Sequence, residues 1–315
     1  MGKTACIVAI TVVMLCTCSK QAEKPTRNLS EFSFIDDDGT PVTVGQPFHR
    51  IIALYSAHTE NLFSIGAGQF VIGGHKTCTY PAPADLLPKF DYTGDPEYII
   101  AEEPDLVLIR PFIRRSHPDY ITEIEKAGIT VVSLYPESIA EFDGYILKLA
   151  LLTGQEKHAE EQLASFHDTV QKIRQDAAGI RNKQTVFFES TAAENRTVSA
   201  ASLPAYAIEI AGGINIAAGM KPLSPGSSIA PYGAEKILQN ADVIDAYIVQ
   251  QGAMNRAKTM EDMVKRPGFS VIKAIRENRV LFIDEKIISS PTFRFIEGIS
   301  QLAAFLYPDF FPRDW

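Results

Sequence analysis

The chain has few cysteines and no concentrated charge. Of its four cysteines, Cys6, Cys16 and Cys18 lie within the first eighteen positions, which leaves only Cys78 in the body of the chain. A single thiol cannot form an internal disulfide, so we expect none to stabilise the fold. No block of five or more like charges occurs, and the formal net charge is -8. Because an acidic surface repels nucleic acid, we expect no nucleic-acid partner.

Motifs of the common enzyme classes are also missing. The Gly-containing segments match neither a phosphate-binding loop nor a dinucleotide fingerprint. The sequence has no nucleophile elbow of the hydrolase type and no paired-histidine zinc motif. Nothing in the sequence pairs the Cys78 thiol with a base. We therefore expect a protein that is not an enzyme and has no cofactor.

The amino-terminal segment has the features of an export signal. Lys3 precedes the uncharged run Ala5–Leu15, which is shorter than the about 20 residues of a membrane-spanning helix and typical of a secretory signal. The following Leu15-Cys16-Thr17-Cys18 resembles a bacterial lipoprotein cleavage box. This resemblance implies a signal peptide over residues 1–17, a lipid on Cys18 and a lipidated polar tether over residues 18–30. The alternative is a plain signal peptide with incidental cysteines.

Two α/β patterns flank one long helical pattern. Short apolar runs such as Arg50–Leu54 and Asp105–Ile109 alternate with short helical segments, which indicates parallel strands covered on both faces. Apolar residues in Glu156–Ala178 recur at steps of four and three, which predicts an amphipathic helix of roughly 35 Å. We expect an N-terminal α/β lobe over residues 31–155, a connecting helix over 156–180 and a C-terminal α/β lobe over 181–315.

Four segments carry a family resemblance. They are "RIIALYSAHTENLFSIGAGQFVIGG", "TYPAPADLLPKFDYTGDPEYIIAEEPDLVLI", "IEKAGITVVSL", and "RPGFSVIKAIRENRVLFID" followed by "FRFIEGISQLAAFLYPDFF". In this order and spacing, from Phe32 to Phe311, the chain resembles the ABC importer substrate-binding proteins for iron siderophores, heme and vitamin B12. The resemblance implies an α/β fold of class III periplasmic binding proteins: two parallel-sheet lobes bridged by one long helix around a cleft.

Several candidate ligand-binding residues follow predicted strands. Ligands of open α/β sheets bind beyond the carboxyl ends of the strands, and the residues at such positions are His58, His75, Lys76, Tyr80, Tyr92, Arg110, Arg114, Arg196, Arg256 and Arg294. The arginines predict a cationic pocket for an anionic ligand, because a guanidinium binds carboxylate or catecholate oxygens in pairs. His58, His75 and Tyr80 are residue types that can ligate iron. The alternative is that these are solvated loop arginines and structural histidines.

The family resemblance also implies how the protein meets its permease. Family members present one exposed glutamate from each lobe to arginines of the permease. Glu97 in "GDPEYI" and Glu235 in "PYGAEKI" occupy the matching positions. Two such contacts fix orientation more than affinity. The alternative is that each glutamate only favours a helix N-terminus.

These observations lead to one functional expectation with two alternatives. We expect a solute-binding lipoprotein on the periplasmic or cell-surface side of a membrane that delivers a ferric siderophore or similar anionic chelate to an ABC import permease. Heme or cobalamin is the alternative within the class, because Tyr80 and Tyr92 can stack on a macrocycle. A metal-cluster enzyme or assembly factor with paired α/β lobes is the alternative from another class, although the signal segment and the lack of clustered cysteines argue against it.

Overall fold

The computed structural model describes residues 32–224, 226–255 and 257–311, together with Gly2. The expected signal peptide, the tether with Cys18 and the side chain of Arg256 lie outside the described residues. In the described part of the chain, no helix combines the length and the apolar character needed to cross a bilayer.

A β-hairpin stands at the start of the N-terminal lobe. Strand β1 (Phe32–Ile35) pairs antiparallel with β2 (Pro41–Val44). The turn contains Gly39 at a φ of 83°. A left-handed conformation of this kind is available to glycine without steric cost, so the Asp38-Gly39 pair suits a tight turn between the two strands.

The N-terminal lobe is built on a five-stranded parallel sheet. Its strands lie side by side in the order β5-β4-β3-β6-β7. In chain order they are β3 (Ile51–Ala53), β4 (Val71–His75), β5 (Lys89–Phe90), β6 (Leu106–Ile109) and β7 (Thr130–Ser133). The helices of this part are α1 (Ser56–Ser64), α2 (Ala82–Asp85), α3 (Glu97–Ile100), α4 (Pro111–Ser116), α5 (Pro118–Lys126) and α6 (Phe142–Thr153).

Helix α7 (Glu156–Ala178) follows and has the bounds that the sequence predicts. Its buried side chains are the six apolar residues spaced four and three apart: Ala159, Leu163, Phe166, Val170, Ile173 and Ala177. They belong to a hydrophobic core that also contains residues of both sheets, α6 and the last helix of the chain. The helix therefore packs along one face against both halves of the molecule.

The C-terminal lobe is built on a four-stranded parallel sheet in the order β10-β8-β12-β13, beside an antiparallel pair of β9 and β11. Its strands are β8 (Thr185–Glu189), β9 (Thr197–Val198), β10 (Ile214–Asn215), β11 (Ile229–Ala230), β12 (Ala246–Gln251) and β13 (Val280–Asp284). Its helices are α8 (Leu203–Ile210), α9 (Ala234–Gln239), α10 (Met260–Val264), α11 (Lys273–Arg276), α12 (Glu285–Ile288) and α13 (Phe295–Leu306). The predicted fold class, two parallel-sheet α/β lobes bridged by one long helix, is confirmed.

Candidate functional site

A pocket of about 480 Å³ lies where loops of the two lobes meet. Its wall includes Leu54–Ala57 after β3, Arg110 after β6 and Tyr135–Glu137 after β7. The second lobe contributes Ser190 after β8 and Glu285 after β13. These positions lie beyond the carboxyl ends of parallel strands, where ligands of open α/β sheets bind. The volume falls within the about 300–1,000 Å³ of small-molecule sites.

Each lobe places one cation in the pocket wall. The Arg110 guanidinium lies over the Tyr55 ring at 5.0 Å and over the Phe112 ring at 5.1 Å, and no described carboxylate forms an ion pair with it. Lys286 in α12 donates from Nζ to the Thr77 carbonyl oxygen at 3.0 Å and to Thr79 Oγ1 at 2.9 Å. Lys286 thus connects the C-terminal lobe to the N-terminal loop that follows β4.

Three glutamates also line the pocket: Glu60, Glu137 and Glu285. Burial raises the pKa of the Glu60 carboxyl, and the bonded Arg294 guanidinium opposes that shift. Burial likewise raises the pKa of Glu285, against the effect of a hydrogen bond from the Ala253 backbone N–H. The pocket therefore contains charges of both signs, instead of the cluster of arginines that the sequence suggested.

Aromatic side chains form much of the N-terminal wall. Tyr55, Tyr92 and Tyr135 line the pocket, and the ring centroids of Tyr55 and Tyr135 are 6.0 Å apart. The Tyr92 ring stacks on the imidazole of His75 at 5.3 Å. Burial raises the pKa of Tyr55 and of Tyr135 above the usual phenol value. Both phenols are therefore neutral at physiological pH and offer an aromatic face and a hydroxyl.

Three of the predicted ligand-binding residues, His75, Tyr92 and Arg110, come together in this pocket. His58 does not, because it lies in the buried face of α1 and is fully enclosed. Its Nδ1 is 2.7 Å from the Tyr145 hydroxyl, and its Nε2 donates to the Ile109 carbonyl oxygen at 3.0 Å. Burial lowers the pKa of His58 to about 4. With both ring nitrogens bonded to protein, His58 is a neutral core residue and not the iron ligand that the sequence suggested.

Arg294 and Tyr80 contact each other behind the pocket wall. The Arg294 guanidinium forms an ion pair with Glu60 and lies 3.8 Å from the centroid of the Tyr80 ring. Neither residue lines the pocket. We expected Arg294 to contact the ligand, but its guanidinium binds Glu60 instead. Glu60 itself lines the pocket.

The other predicted cations pair with nearby carboxylates outside the pocket. Lys76 pairs with Asp91, Arg196 with Glu194, and Arg114 with both Asp38 and Glu125. These cations are therefore partnered side chains of loops and helix ends. Arg256, the remaining predicted ligand-binding residue, lies outside the described residues.

Glu97 and Glu235 lie on different lobes. Glu97 is the first residue of α3, and Glu235 is in the first turn of α9. Both side chains are exposed. Glu235 also accepts a hydrogen bond from Gln239 Nε2 at 3.2 Å within the same helix.

The sequence analysis missed several residues of the pocket. Tyr55 directly follows the predicted apolar run Arg50–Leu54, so the strand-end rule already pointed to its position, and Tyr135 follows β7. Glu285 and Lys286 follow strand β13 in the same way. The position of Glu60 in the pocket wall could not be predicted from the sequence, because it depends on the contact with Arg294, which is 234 positions away. Among the described residues, no group of three or more His, Cys, Asp and Glu side chains is placed to hold a metal ion.

Comparison with known proteins gives matches over nearly the whole chain. Residues 51–287 match the family described as periplasmic binding protein. An uncharacterized ABC transporter substrate-binding lipoprotein of Bacillus subtilis, YvrC, is 26% identical over 312 residues, which cover 96% of both chains. The vitamin B12-binding protein of Vibrio campbellii is 25% identical over 264 residues, 81% of this chain and 88% of that protein. Among solved structures, a possible iron-binding (periplasmic solute-binding) protein from Staphylococcus epidermidis matches with a TM-score of 0.72 and 25% sequence identity. This match covers 83% of this chain and 100% of that protein.

Proposed function

Because this chain belongs to the periplasmic binding protein family, we propose that it captures a metal-bearing small molecule outside the cytoplasm and delivers it to an ABC import permease. The observation that carries this proposal is the pocket between the lobes. Its wall comes from the strand ends of both parallel sheets, so a ligand in it touches both lobes at once.

The first candidate ligand is a ferric siderophore or a similar anionic iron chelate. Arg110 from one lobe and Lys286 from the other place two positive charges on the pocket wall. Charge-assisted hydrogen bonds from such groups to carboxylate, catecholate or hydroxamate oxygens are stronger than neutral ones. Of the residues predicted from the sequence, we propose that His75, Tyr92 and Arg110 contact this ligand. In this account, the iron is cargo held by the chelate.

The second candidate is heme or cobalamin. Tyr55, Tyr92 and Tyr135 place three aromatic rings on one side of the pocket, and aromatic rings stack favourably on flat or apolar ligand surfaces. The relative from Vibrio campbellii is named a vitamin B12-binding protein. This name supports a corrinoid as an alternative cargo for this chain.

Two further proposals concern the partners of the protein. Glu97 and Glu235, one exposed carboxylate on each lobe, are proposed to register the protein on basic side chains of the permease. Cys18 is proposed to carry a lipid that holds the protein at the outer side of a membrane. The name of the Bacillus subtilis relative, a substrate-binding lipoprotein, supports the anchor.

A thermal-shift panel tests the proposed ligand class. The protein without residues 1–18 is melted alone and with a ferric trihydroxamate, hemin or cyanocobalamin. A ligand present at 100 times its Kd stabilises the folded protein by about 2.7 kcal/mol. We expect the ferric chelate to raise the Tm most. A shift with cyanocobalamin or hemin alone favours the second candidate, and no shift with any of the three contradicts the proposed ligand class.

A further inference from the structure

The imidazole of His75 is held in one orientation at the end of β4. The residue is 8% exposed. The Thr77 backbone N–H donates to His75 Nδ1 at 3.3 Å, and Thr77 Oγ1 is 2.7 Å from the same nitrogen. A backbone N–H can only donate, so Nδ1 must accept. In the neutral ring the proton therefore sits on Nε2.

A short hydrogen-bond chain is compatible with the same tautomer. Thr77 Oγ1 is also 2.8 Å from Ser56 Oγ. With Nδ1 of His75 as an acceptor, the Thr77 hydroxyl donates to the imidazole and accepts from the Ser56 hydroxyl. Every group in this chain then has a partner, and all three residues line the pocket.

The Nε2–H group at the far side of the ring has no partner. It is buried, and no described residue accepts a hydrogen bond from it. A buried donor without an acceptor is costly to the protein, and nearly all such groups in native structures are satisfied. The ring itself forms part of the pocket wall beside Tyr92. Nε2 is enclosed in this conformation, so an acceptor supplied from the pocket would remove that cost once a small movement of the wall exposes the nitrogen.

Burial keeps this imidazole neutral. Desolvation lowers the pKa of His75; the nearby Asp91 carboxylate opposes the shift, and Lys76 and Arg110 reinforce it. A neutral imidazole with its proton on Nε2 has no lone pair on that nitrogen. Metal coordination through Nε2 requires that lone pair.

We infer that His75 Nε2–H is a specificity-determining hydrogen-bond donor for an acceptor oxygen on the ligand, such as a carboxylate, hydroxamate or amide carbonyl, and is not a ligand to the metal. The inference rests on the proposed function and replaces the iron-ligand role that the sequence suggested for His75. It assigns to this residue the recognition of the organic part of the cargo.

The first test needs no ligand. Protein labelled with ¹⁵N-histidine is studied by long-range ¹H–¹⁵N correlation, and the His75→Gln variant identifies which of the six histidine signals belongs to His75. We expect a neutral ring that carries its proton on Nε2 at pH 7. A ring protonated on Nδ1, or a charged imidazolium at that pH, would overturn the inference.

The second test measures affinity by calorimetry with a ferric trihydroxamate, hemin and cyanocobalamin as separate probes. His75→Gln keeps an N–H donor near the position of Nε2, whereas His75→Leu removes it. For the probe that binds, we expect His75→Leu to weaken binding by about fivefold or more and His75→Gln to stay close to wild type. His167→Gln, which changes an exposed imidazole of α7 paired with Asp143, is the control.

The outcomes separate this inference from the proposed function. Equal losses in His75→Gln and His75→Leu, with an altered visible spectrum of the bound metal, would mean that His75 coordinates the metal, and the inference fails. Wild-type affinity in both variants also refutes it. If the wild-type protein binds none of the probes, the proposed ligand class fails, and the NMR result alone decides the state of His75.

Discussion

Glu60 and Arg294 form a bidentate ion pair between the two lobes. Arg294 Nε donates to Glu60 Oε2 and Arg294 Nη2 to Glu60 Oε1, both at 2.8 Å. Next to this pair, Asn61 donates from its side-chain amide to the Pro291 carbonyl oxygen at 2.8 Å and accepts from the Phe293 backbone N–H at 3.3 Å. Helix α1 of one lobe is thereby fixed to the segment before α13 of the other. The Glu60 carboxylate is held in the pocket wall by this arrangement.

Removal of the Arg294 guanidinium is expected to destabilise the protein strongly. The Glu60 side chain is only 5% exposed and that of Arg294 17%, and breaking a buried pair leaves an uncompensated charge. Arg294→Ala should lower the free energy of unfolding by about 3 kcal/mol, measured by urea denaturation at pH 7. Arg276→Ala is the matched control, because its exposed pair with Asp242 is worth less than about 1 kcal/mol. Equal effects of the two changes would show that the Glu60–Arg294 pair has no special role.

The loss in Arg294→Ala should depend on pH. Burial raises the pKa of Glu60 in the folded state, and without Arg294 only the weaker effect of the Lys286 charge opposes that shift. Below the carboxyl pKa of the unfolded chain, Glu60 is neutral in both states and its burial costs little. As the pH rises above that value, the unfolded state ionises first, and the cost grows until Glu60 also ionises in the folded state at its raised pKa. The stability gap to wild type should therefore be smaller at pH 4.5 than at pH 7.5, and a constant gap would contradict this explanation.

Arg110 is expected to contribute to ligand affinity with little effect on stability. It has no carboxylate partner in the described residues, so Arg110→Ala leaves no buried charge behind. Loss of a charge-assisted hydrogen bond of about 1.5–3 kcal/mol should weaken binding of the ferric chelate by roughly 10- to 150-fold. Calorimetry measures the affinity. Arg115→Ala, five positions along the chain and exposed, should bind as wild type; equal weakening by both changes would argue against a direct contact.

The buried Glu189 is expected to depend on Arg266. Glu189 is fully buried and accepts hydrogen bonds from Tyr247, Asn255 and Arg266. Burial raises the pKa of Tyr247 well above the usual phenol value, and the negative charge of Glu189 raises it further. The Tyr247 hydroxyl therefore keeps its proton and remains a donor. Arg266→Ala should lower the free energy of unfolding by about 3–5 kcal/mol. Adding Glu189→Gln should restore part of the loss in the same denaturation experiment; if the double variant is no more stable, the unpaired charge is not the cause.

Charge reversal at the two exposed glutamates should separate docking from binding. We expect Glu97→Lys combined with Glu235→Lys to abolish uptake of radiolabelled iron chelate by cells, because two attractive contacts become repulsive. The Kd of the purified variant for the chelate should stay at its wild-type value. Glu277→Lys, at another exposed position, should leave uptake intact. A loss of chelate affinity in the double variant would refute the docking role.

The elements of the fold were largely predictable because they depend on local pattern. The apolar steps of α7 determine its buried face, and the continuous apolar run Leu106–Ile109 is a strand with no exposed residue. Short elements such as α2, with Pro83 among its four residues and Pro81 directly before it, and the two-residue strands β9, β10 and β11 escaped prediction. Their conformations depend on neighbouring segments more than on their own residues.

The site was less predictable because side-chain direction is not a local property. The strand-end rule found Arg110, which directly follows β6, and His75, which is the last residue of β4. It failed for His58, since α1 begins at Ser56 and its first turn directs His58 into the core while Ser56 remains at the pocket. It also failed for Arg294, whose partner Glu60 lies in the other lobe. A contact between residues 234 positions apart has no signature in a single sequence.

Whether the ligand binds between the lobes is decided by locating the metal in a crystal of the protein grown with the chelate that gives the largest thermal shift. Anomalous diffraction at the metal absorption edge locates the metal without reference to the surrounding density. We expect one strong peak between the lobes, within the pocket lined by Arg110, His75 and Lys286. A peak outside this pocket, with the pocket free of the chelate, would contradict it.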